Sequence, residues 1–399
     1  MKLTTKNSDA RTFRDILKKQ RHHSHDVVVP SSKLRMTDEG LFKIQDAPLP
    51  DSLASTLRKA GVSLSEENRA TLPYRGLNQA HKQLVSKLPI PAFKRAYDFM
   101  LEDNPEQLSE VVNHYLSEAG KNYLVRTFRP DNEDGSRGIM RAVLSERYEV
   151  INNFDVYMRA LKTIREAGIS PKVKCHLSNT TMYVAFTMPQ LAVNAKEFVG
   201  NYRNPHPGSD SDEIPSKKVY PGFILKNSEV GAAAFSIAPR LIIQVCGNGM
   251  IRTKDALRKI HLGSKMDKGV VDFSDDVRKK ALELTDLQVK EAVETFVSKE
   301  YLYEAIEDVM GSGANEELEH PKEALSNSAD ELDMTQEEED ELFDFFTRGG
   351  STKRSAIPQA VTAMSQHIED IDRSFELEEN AWGLLDNMKQ IDVQSEQMN

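Results

Sequence analysis

The sequence predicts an α+β protein in which helices flank a central, mostly antiparallel sheet. Apolar residues recur at helical spacing after Leu77 and again after residue 351, whereas β-branched runs separated by turn residues fill the middle of the chain. These two periodicities are typical of helices and strands, respectively. A third observation is the concentration of acidic residues between 311 and 347. The predicted segments are a weakly ordered, flexible basic N-terminus (1–75), an α+β core domain (76–310), an acidic linker with disorder (311–350) and a long amphipathic C-terminal helix (351–399).

The N-terminal segment is basic. Its first thirty-five residues hold nine Lys or Arg and three Asp, and residues 11–25 are compatible with a short basic helix. Prolines at positions 30, 48, 50 and 73 interrupt longer elements. His22, His23 and His25 resemble a metal-binding tract, but three histidines in a flexible arm are a weak metal site, so we expect a solvated basic arm and no metal.

Helices and strands alternate within the core domain. Asn104-Pro105 predicts a helix start, with Asn104 as the cap. A helix is also expected over 154–166, capped by Asn152 or Asn153, and another over 274–310. Polar residues 196–215 indicate a loop. The expected strands are 123–128, 139–144, 172–176, 181–187, 220–225, 232–237 and 241–245.

The acidic segment dominates the charge of the chain. Residues 311–347 hold thirteen Asp or Glu and one Lys, so the rest of a chain of net charge −10 carries +2. The segment has three interpretations: a soluble linker, a nucleic-acid mimic that blocks a basic groove, or a carrier of the docking peptide Leu342–Phe346. After it, apolar residues from Val361 to Leu385 alternate at three and four residues, which is typical of helix pairing and indicates a homo-oligomer.

Composition limits the class of protein. The chain has 399 residues, of which 39% are hydrophobic and 29% charged. No apolar run approaches the ~20 residues that span a bilayer, and no signal-like stretch follows the N-terminal charges, so we expect no membrane association. Two cysteines cannot form a disulfide framework, which favours the cytoplasm.

Enzymatic motifs are weak. Cys246, followed by Gly-Asn-Gly, is a possible thiol nucleophile with His176 or His261 as base, but a buried cysteine before a tight turn is the favoured interpretation. Nucleotide-binding and hydrolase motifs are absent from the sequence, so we expect no catalytic residues and no cofactor.

Basic residues offer a stronger hypothesis. If the sheet gathers them, they form a groove for a phosphate backbone, with Tyr148 and Phe235 as stacking faces. Lys226 and Asn227, with Ser228, either line a phosphate site or shape a turn. The alternative for the whole set is a solvated surface with the aromatic rings in the core. The predicted nucleic-acid-binding residues are Arg137, Arg141, Arg147, Tyr148, Lys226, Asn227, Arg240, Arg252, Lys254, Arg258, Lys259 and His261.

Several short segments resemble a phage and plasmid family known as domain of unknown function nine hundred thirty-two. They are residues 141–148 with Asn152, 226–231, 246–249, 259–263 and 380–385. The family's aromatic-valine-aspartate-histidine ending is missing here, and the acidic segment looks like an insertion. The order of elements is also similar, remotely, to that of annealing recombinases of the RecT, Redβ and Erf kind. These resemblances imply a role in replication, recombination or host takeover.

The leading functional hypothesis is a cytoplasmic, phage- or plasmid-type protein that binds single-stranded DNA and promotes annealing without cutting it. The alternative is a protein-interaction module that binds a host or phage protein through the acidic segment and the C-terminal helix. A third possibility is an enzyme that depends on Cys246.

Overall fold

The α+β class is confirmed by the computed structural model of the chain. The structure describes residues 2–45, 73–128, 138–148, 150–199, 201–206, 217–243, 249–251, 255–259, 287 and 290–394. Its strands are β1 (Thr5–Ser8), β2 (Ser24–Pro30), β3 (Leu34–Met36), β4 (Phe42–Ile44), β5 (Tyr74–Gly76), β6 (Asn122–Phe128), β7 (Gly138–Ser145), β8 (Lys172–Leu177), β9 (Met182–Thr187), β10 (Val193–Asn194), β11 (Lys218–Asn227), β12 (Phe235–Ile243), β13 (Gly249–Ile251) and β14 (Leu257–Lys259).

The strands form two sheets instead of one central sheet. Sheet A has the order β1-β8-β9-β11-β12-β13, with β10 beside β11 and β14 beside β12. Sheet B has the order β2-β6-β7-β5-β4-β3, and its β5–β7 pair is parallel while its other pairs are antiparallel. Residues 232–245 were expected to hold two strands, but β12 runs through most of that region as one.

Helices pack against both sheets. Their bounds are α1 (Ala10–His23), α2 (Asn78–Val85), α3 (Phe93–Asp103), α4 (Pro105–Glu118), α5 (Asn153–Glu166), α6 (Lys196–Val199), α7 (Lys299–Gly311), α8 (Pro321–Glu331), α9 (Gln336–Gly349), α10 (Ala356–Ser365) and α11 (Ile371–Gln394). The predicted start of α4 is confirmed, since the side chain of Asn104 accepts a hydrogen bond from the Gln107 amide. Asn152 is the N-cap position of α5, although its side chain makes no capping bond.

The N-terminal region differs from the expectation of weak order. Asp9 caps α1 by accepting hydrogen bonds from the Arg11 and Thr12 amides. Phe13 and Leu17 of this helix are buried in the core beneath sheet A, where they pack with α5. The strands on either side of α1 belong to different sheets, because β1 pairs with β8 and β2 pairs with β6. Residues 2–45 are therefore folded together with later parts of the chain. The predicted boundary at residue 75 does not separate them from the core domain.

The acidic segment also differs from the expectation of a disordered linker. Most of it lies in α8 and α9, and α9 begins with a capping box formed by Thr335 and Glu338. Leu325, Leu342 and Phe345 are buried with residues of α10 and α11. The acidic side chains occupy the outer positions of amphipathic helices, so high charge coexists with a packed interior.

The C-terminal region contains two helices instead of one. Residues 366–370 separate α10 from α11, and the Asp370 carboxylate accepts a hydrogen bond from the Arg373 amide at the start of α11. The apolar residues that suggested heptads, among them Val361 and Met364, are buried within this chain's own helices. Intramolecular helix packing therefore accounts for the pattern.

Candidate nucleic-acid interface

One face of sheet A carries cationic side chains, and the opposite face is the main core. Strand β8 alternates, so Val173, Cys175 and Leu177 point into the core while Lys172, Lys174 and His176 point away. We call the second surface the basic face. Its residues across the strands are Lys172, Lys174 and His176 of β8, Tyr183 of β9, Lys226 of β11, and Ser236 and Arg240 of β12.

Strand register arranges the basic face in rows. His176 lies opposite Tyr183, Tyr183 opposite Lys226, and Lys226 opposite Ser236. Another row lies four residues away along β8, and Lys172 and Arg240 are at its opposite ends. Gly222 of this row sits beside Arg240, where a Cβ would come within 2.3 Å of the Phe186 carbonyl oxygen. The sheet can close this tightly only because that position is glycine.

Electrostatics on the basic face disfavour further positive charge. Burial and the cations Arg240, Lys174 and Lys6 lower the pKa of His176 to about 3, so this imidazole is neutral at pH 7. Partial burial, followed by the neighbouring Arg240 charge, also lowers the pKa of Lys174. Burial is the larger cause of both shifts, and the neighbouring cations add a repulsion that a polyanion or an acidic helix relieves.

Helix α11 lies over the basic face and brings carboxylates to its cations. Glu378 forms a two-pronged ion pair with Arg240, with Nη2 at 2.8 and 2.7 Å from the two carboxylate oxygens. Both side chains are more than nine-tenths buried. Glu379 pairs with Lys226 at 2.9 Å. Burial raises the pKa of Glu378, and the Arg240 charge opposes that effect.

The N-terminal part of α11 adds hydrogen bonds and a ring contact. The Asp372 carboxylate accepts hydrogen bonds from Ser178, Thr180 and Tyr183, at 2.9, 2.7 and 3.1 Å. The ring of Phe375 stacks on that of Tyr183, with centroids 4.2 Å apart. The Lys226 ammonium lies 5.5 Å from the centroid of the same tyrosine. Tyr183 is thus the centre of the contact between the sheet and α11.

A second charged group lies where sheet A meets sheet B. Arg126 and Arg141 are 1% and 6% exposed, and both approach Glu229. Arg141 pairs with the Glu229 carboxylate at 2.8 Å, while Arg126 donates to the Glu229 backbone oxygen and pairs with Asp26 at 3.0 Å. Burial favours the neutral acid, but the two arginines and the Asn153 amide hold the pKa of Glu229 below its usual range.

Amide and hydroxyl groups complete this buried charge cluster. Asn153 donates its backbone N–H to Glu229 at 2.7 Å, and the Asn227 side chain donates to the Ile151 carbonyl and to Asn153 Oδ1. The Tyr148 hydroxyl donates to the Ser228 carbonyl at 3.2 Å. The turn interpretation of residues 226–228 therefore fits Asn227 and Ser228. The cluster joins two segments that are distant in the chain, 141–148 and 226–231.

A small cavity borders the cluster. Phe128, Arg141, Asn153 and Thr180 are among its lining residues. The Arg141 guanidinium carbon stands 4.1 Å from the centroid of the Phe128 ring. Arg141 is thereby engaged by a carboxylate and an aromatic face, as structural arginines are.

The predicted site residues therefore divide into several environments. Arg141 and Asn227 are buried in the charge cluster, Tyr148 is half-buried beside it, and Lys226 and Arg240 lie beneath α11. Arg147 is exposed in the turn after β7. Phe235, predicted to stack bases, is buried in the main core. Outside the described residues lie Arg137, Arg252, Lys254, His261 and Cys246, as well as the side chains of Arg258 and Lys259 on β14.

Sequence reasoning missed Lys172, Lys174 and Tyr183 on the basic face, and it missed the acidic partners Glu229 and Glu378. The alternation of β8 was a usable signal for the two lysines, because a strand with one apolar face presents its other face to solvent or to a partner. Nothing local marks Glu378 as a partner of Arg240, since 138 residues separate them.

Comparisons of the chain with protein-family models, curated proteins and solved structures find no match. Fold and site together define an α+β protein in which a basic, tyrosine-bearing sheet face is covered by an acidic helix. None of the helices in the described part of the chain is long and apolar enough to cross a membrane. The described residues also contain no cluster of three or more His, Cys, Asp or Glu side chains suited to a metal ion.

Proposed function

We propose that this protein binds single-stranded nucleic acid, preferentially DNA, on the basic face of sheet A. The observation that supports the proposal is the register that places Lys172, Lys174, Lys226 and Arg240 around Tyr183 on one surface. Strands are about 4.8 Å apart and rise about 3.3 Å per residue, so these cations span an area of roughly 13 by 14 Å. That area matches a few nucleotides.

The chemistry of this surface suits a single strand better than a duplex. Cations on a sheet neutralise phosphates, and an aromatic side chain among them supplies a stacking face for a base. The ring of Tyr183 can accept a stacked base, since the ring of Phe375 already stacks on it. A base would occupy the same ring face as Phe375, and phosphates would replace the carboxylates of Glu378 and Glu379.

The cellular role belongs to the same proposal. The resemblance of residues 141–148 and 226–231 to a phage and plasmid family supports a cytoplasmic role in replication or recombination, in which bound strands are annealed. The competing proposal, a protein-interaction module, loses part of its basis. Leu342 and Phe345 of the expected docking peptide are buried among the chain's own helices.

The test measures binding of a fluorescent oligothymidylate to the full chain. Fluorescence anisotropy reports the affinity at salt concentrations from about 50 to 200 mM. Lys172 and Lys174 are exposed beside α11, so Lys172→Glu/Lys174→Glu is the informative variant. We expect binding that weakens with salt and an affinity loss of roughly tenfold in the variant, because two cations that would neutralise phosphates become anions that repel them.

Lys82→Glu/Lys162→Glu is the matched control. It makes the same change in net charge at exposed positions of α2 and α5, away from the basic face. Equal losses in both double variants would indicate a nonspecific effect of net charge and refute the assigned surface. Absence of oligonucleotide binding at low salt by the unmodified chain and by a chain with weakened α11 contacts would refute the function and favour a protein partner.

A further inference from the structure

Helices α8–α11, residues 314–394, form a unit that we call the C-terminal bundle. Its interior contains Leu318, Leu342, Val361 and Leu377, and the other members of this core also lie between residues 318 and 384. The bundle therefore has a core of its own, made without side chains from the two sheets. An element with its own core can move as a body without exposing that core.

Contacts between the C-terminal bundle and sheet A combine polar and apolar groups. They include the Glu378–Arg240 and Glu379–Lys226 ion pairs and the three hydroxyl bonds to Asp372. Lys6 of β1 also donates to the Ile368 carbonyl before α11. The apolar part places Phe375 and Ile371 of α11 against Tyr183 and Ile224 of the sheet, and it continues to Trp382, which is buried with Leu241 and Met250. The charged contacts of this interface are the ones that a polyanion can compete for.

The connection to the rest of the chain is short and rich in small residues. Helix α7 ends at Gly311, and Gly313 has a φ of +87°, after which the bundle begins. Apart from its chain neighbours and its own helix, a Cβ at Gly311 would meet no atom of the described residues within 4 Å. Small residues at the end of an element are positions that absorb a hinge rotation.

We propose that the C-terminal bundle is a built-in competitor for the nucleic-acid site, and that a bound strand displaces α11 from the basic face. This proposal rests on the proposed function. Glu378, Glu379 and Asp372 present carboxylates to the cations and hydroxyls of the face, and phosphates bind the same groups. Phe375 occupies the tyrosine face that a base requires. The competing negative charge comes from the folded bundle. It does not come from an acidic segment that acts as a disordered tail.

Charge-removing variants test the competition. Glu378→Gln/Glu379→Gln weakens the hold of α11 on Arg240 and Lys226, and we expect roughly tenfold tighter oligothymidylate binding by the full chain, because two competing negative charges are removed. The matched control is Glu337→Gln/Glu376→Gln, which removes the same charge from exposed positions of α9 and α11. Equal tightening in both variants, or none in the first, would overturn the proposal.

Hydrogen exchange of the unmodified chain provides a second, mutation-free measurement. Addition of saturating oligothymidylate should increase exchange in peptides that cover 371–384 and leave those that cover 338–346, inside the bundle, unchanged. Protection of 371–384 by the oligonucleotide would mean that α11 stays in place and would overturn displacement.

The two proposals fail in different ways. Salt-dependent binding that is lost in Lys172→Glu/Lys174→Glu, combined with unchanged exchange in α11, would retain the function and reject the competition. No binding by any variant would reject the function. Without any binding, the competition would be rejected as well, because there would be no ligand to displace α11. Faster exchange of 371–384 in Glu378→Gln/Glu379→Gln, measured without oligonucleotide, would then show only that charge holds α11 in place.

Discussion

Arg141 and Glu229 lie 88 residues apart in the chain, and their side chains form a buried ion pair with Nη1 2.8 Å from Oε2. Arg126 shares the same carboxylate at 3.8 Å. One carboxylate thus links strands β6 and β7 of sheet B to the end of β11 in sheet A. Because ions in a low-dielectric interior interact strongly and are costly to leave unpaired, this link sets the relative position of the two sheets.

Replacing Glu229 with Gln should strongly destabilise the protein. The variant keeps the shape of the side chain but removes the charge that compensates two buried guanidinium groups, so we expect a loss of about 3–5 kcal/mol in the free energy of unfolding. Urea denaturation measures this loss. Glu146→Gln, in the exposed turn after β7, is the control and should stay within about 0.5 kcal/mol of the unmodified chain. A Glu229 variant as stable as this control would contradict the role of the ion pair.

Acid should destabilise the fold through His81. Burial lowers the pKa of His81 to about 4, and its Nδ1 lies 2.6 Å from the Tyr97 hydroxyl oxygen. The unfolded chain, with a histidine pKa of about 6.5, binds the proton first as pH falls. Stability from this group is complete above about pH 6.5 and declines by about 1.4 kcal/mol per pH unit down to about pH 4.

Unfolding free energies at successive pH values between about 7 and 5 check this slope. A His81→Gln variant will be less stable at neutral pH, but its pH dependence should be shallower by the contribution of one histidine. If both proteins lose stability in parallel as the pH falls, His81 is not the group responsible.

The buried Arg240–Glu378 pair should behave as a unit. Either single substitution, Arg240→Leu or Glu378→Leu, leaves a buried charge without its partner and should cost about 3–5 kcal/mol. The double substitution removes both charges and should recover most of the loss. Arg240 Nε is buried and has no hydrogen-bond partner in the described part of the structure, so desolvation of this pair is incompletely offset.

Chemical denaturation of the four proteins gives the coupling free energy of the pair. We expect the double variant to be within about 1 kcal/mol of the unmodified chain. Additive losses would mean that α11 does not hold the two groups together in solution.

The cap of α9 tests order in the acidic segment. Thr335 Oγ1 accepts a hydrogen bond from the Glu338 amide, and Glu338 accepts one from the Thr335 amide. Thr335→Ala should lower the unfolding free energy by about 1 kcal/mol, whereas Thr335→Ser keeps the hydroxyl and should cost little. Thermal and urea unfolding measure both. Identical stability of all three proteins would restore the picture of a disordered linker.

Local signals in the sequence were sufficient for many elements. Asn104-Pro105 predicted the start of α4, and the residue pattern at 172–176 predicted strand β8, because caps and periodicity depend on neighbours within a few residues. The same reasoning failed for the N-terminus. Thr5 pairs with Leu177 and Ser24 with Phe128, and no local pattern encodes partners at that distance.

The sequence by itself determined the α+β class, most helices and strands, and the presence of basic residues with an excess of acidic ones. Only the tertiary structure decided which acid meets which base. Glu229 lies between Arg126 and Arg141, and Glu378 covers Arg240, so residues predicted to contact phosphate instead contact carboxylates of their own chain. Charge is encoded at each position, but its pairing depends on long-range packing, which places α11 on sheet A and the end of β11 against sheet B.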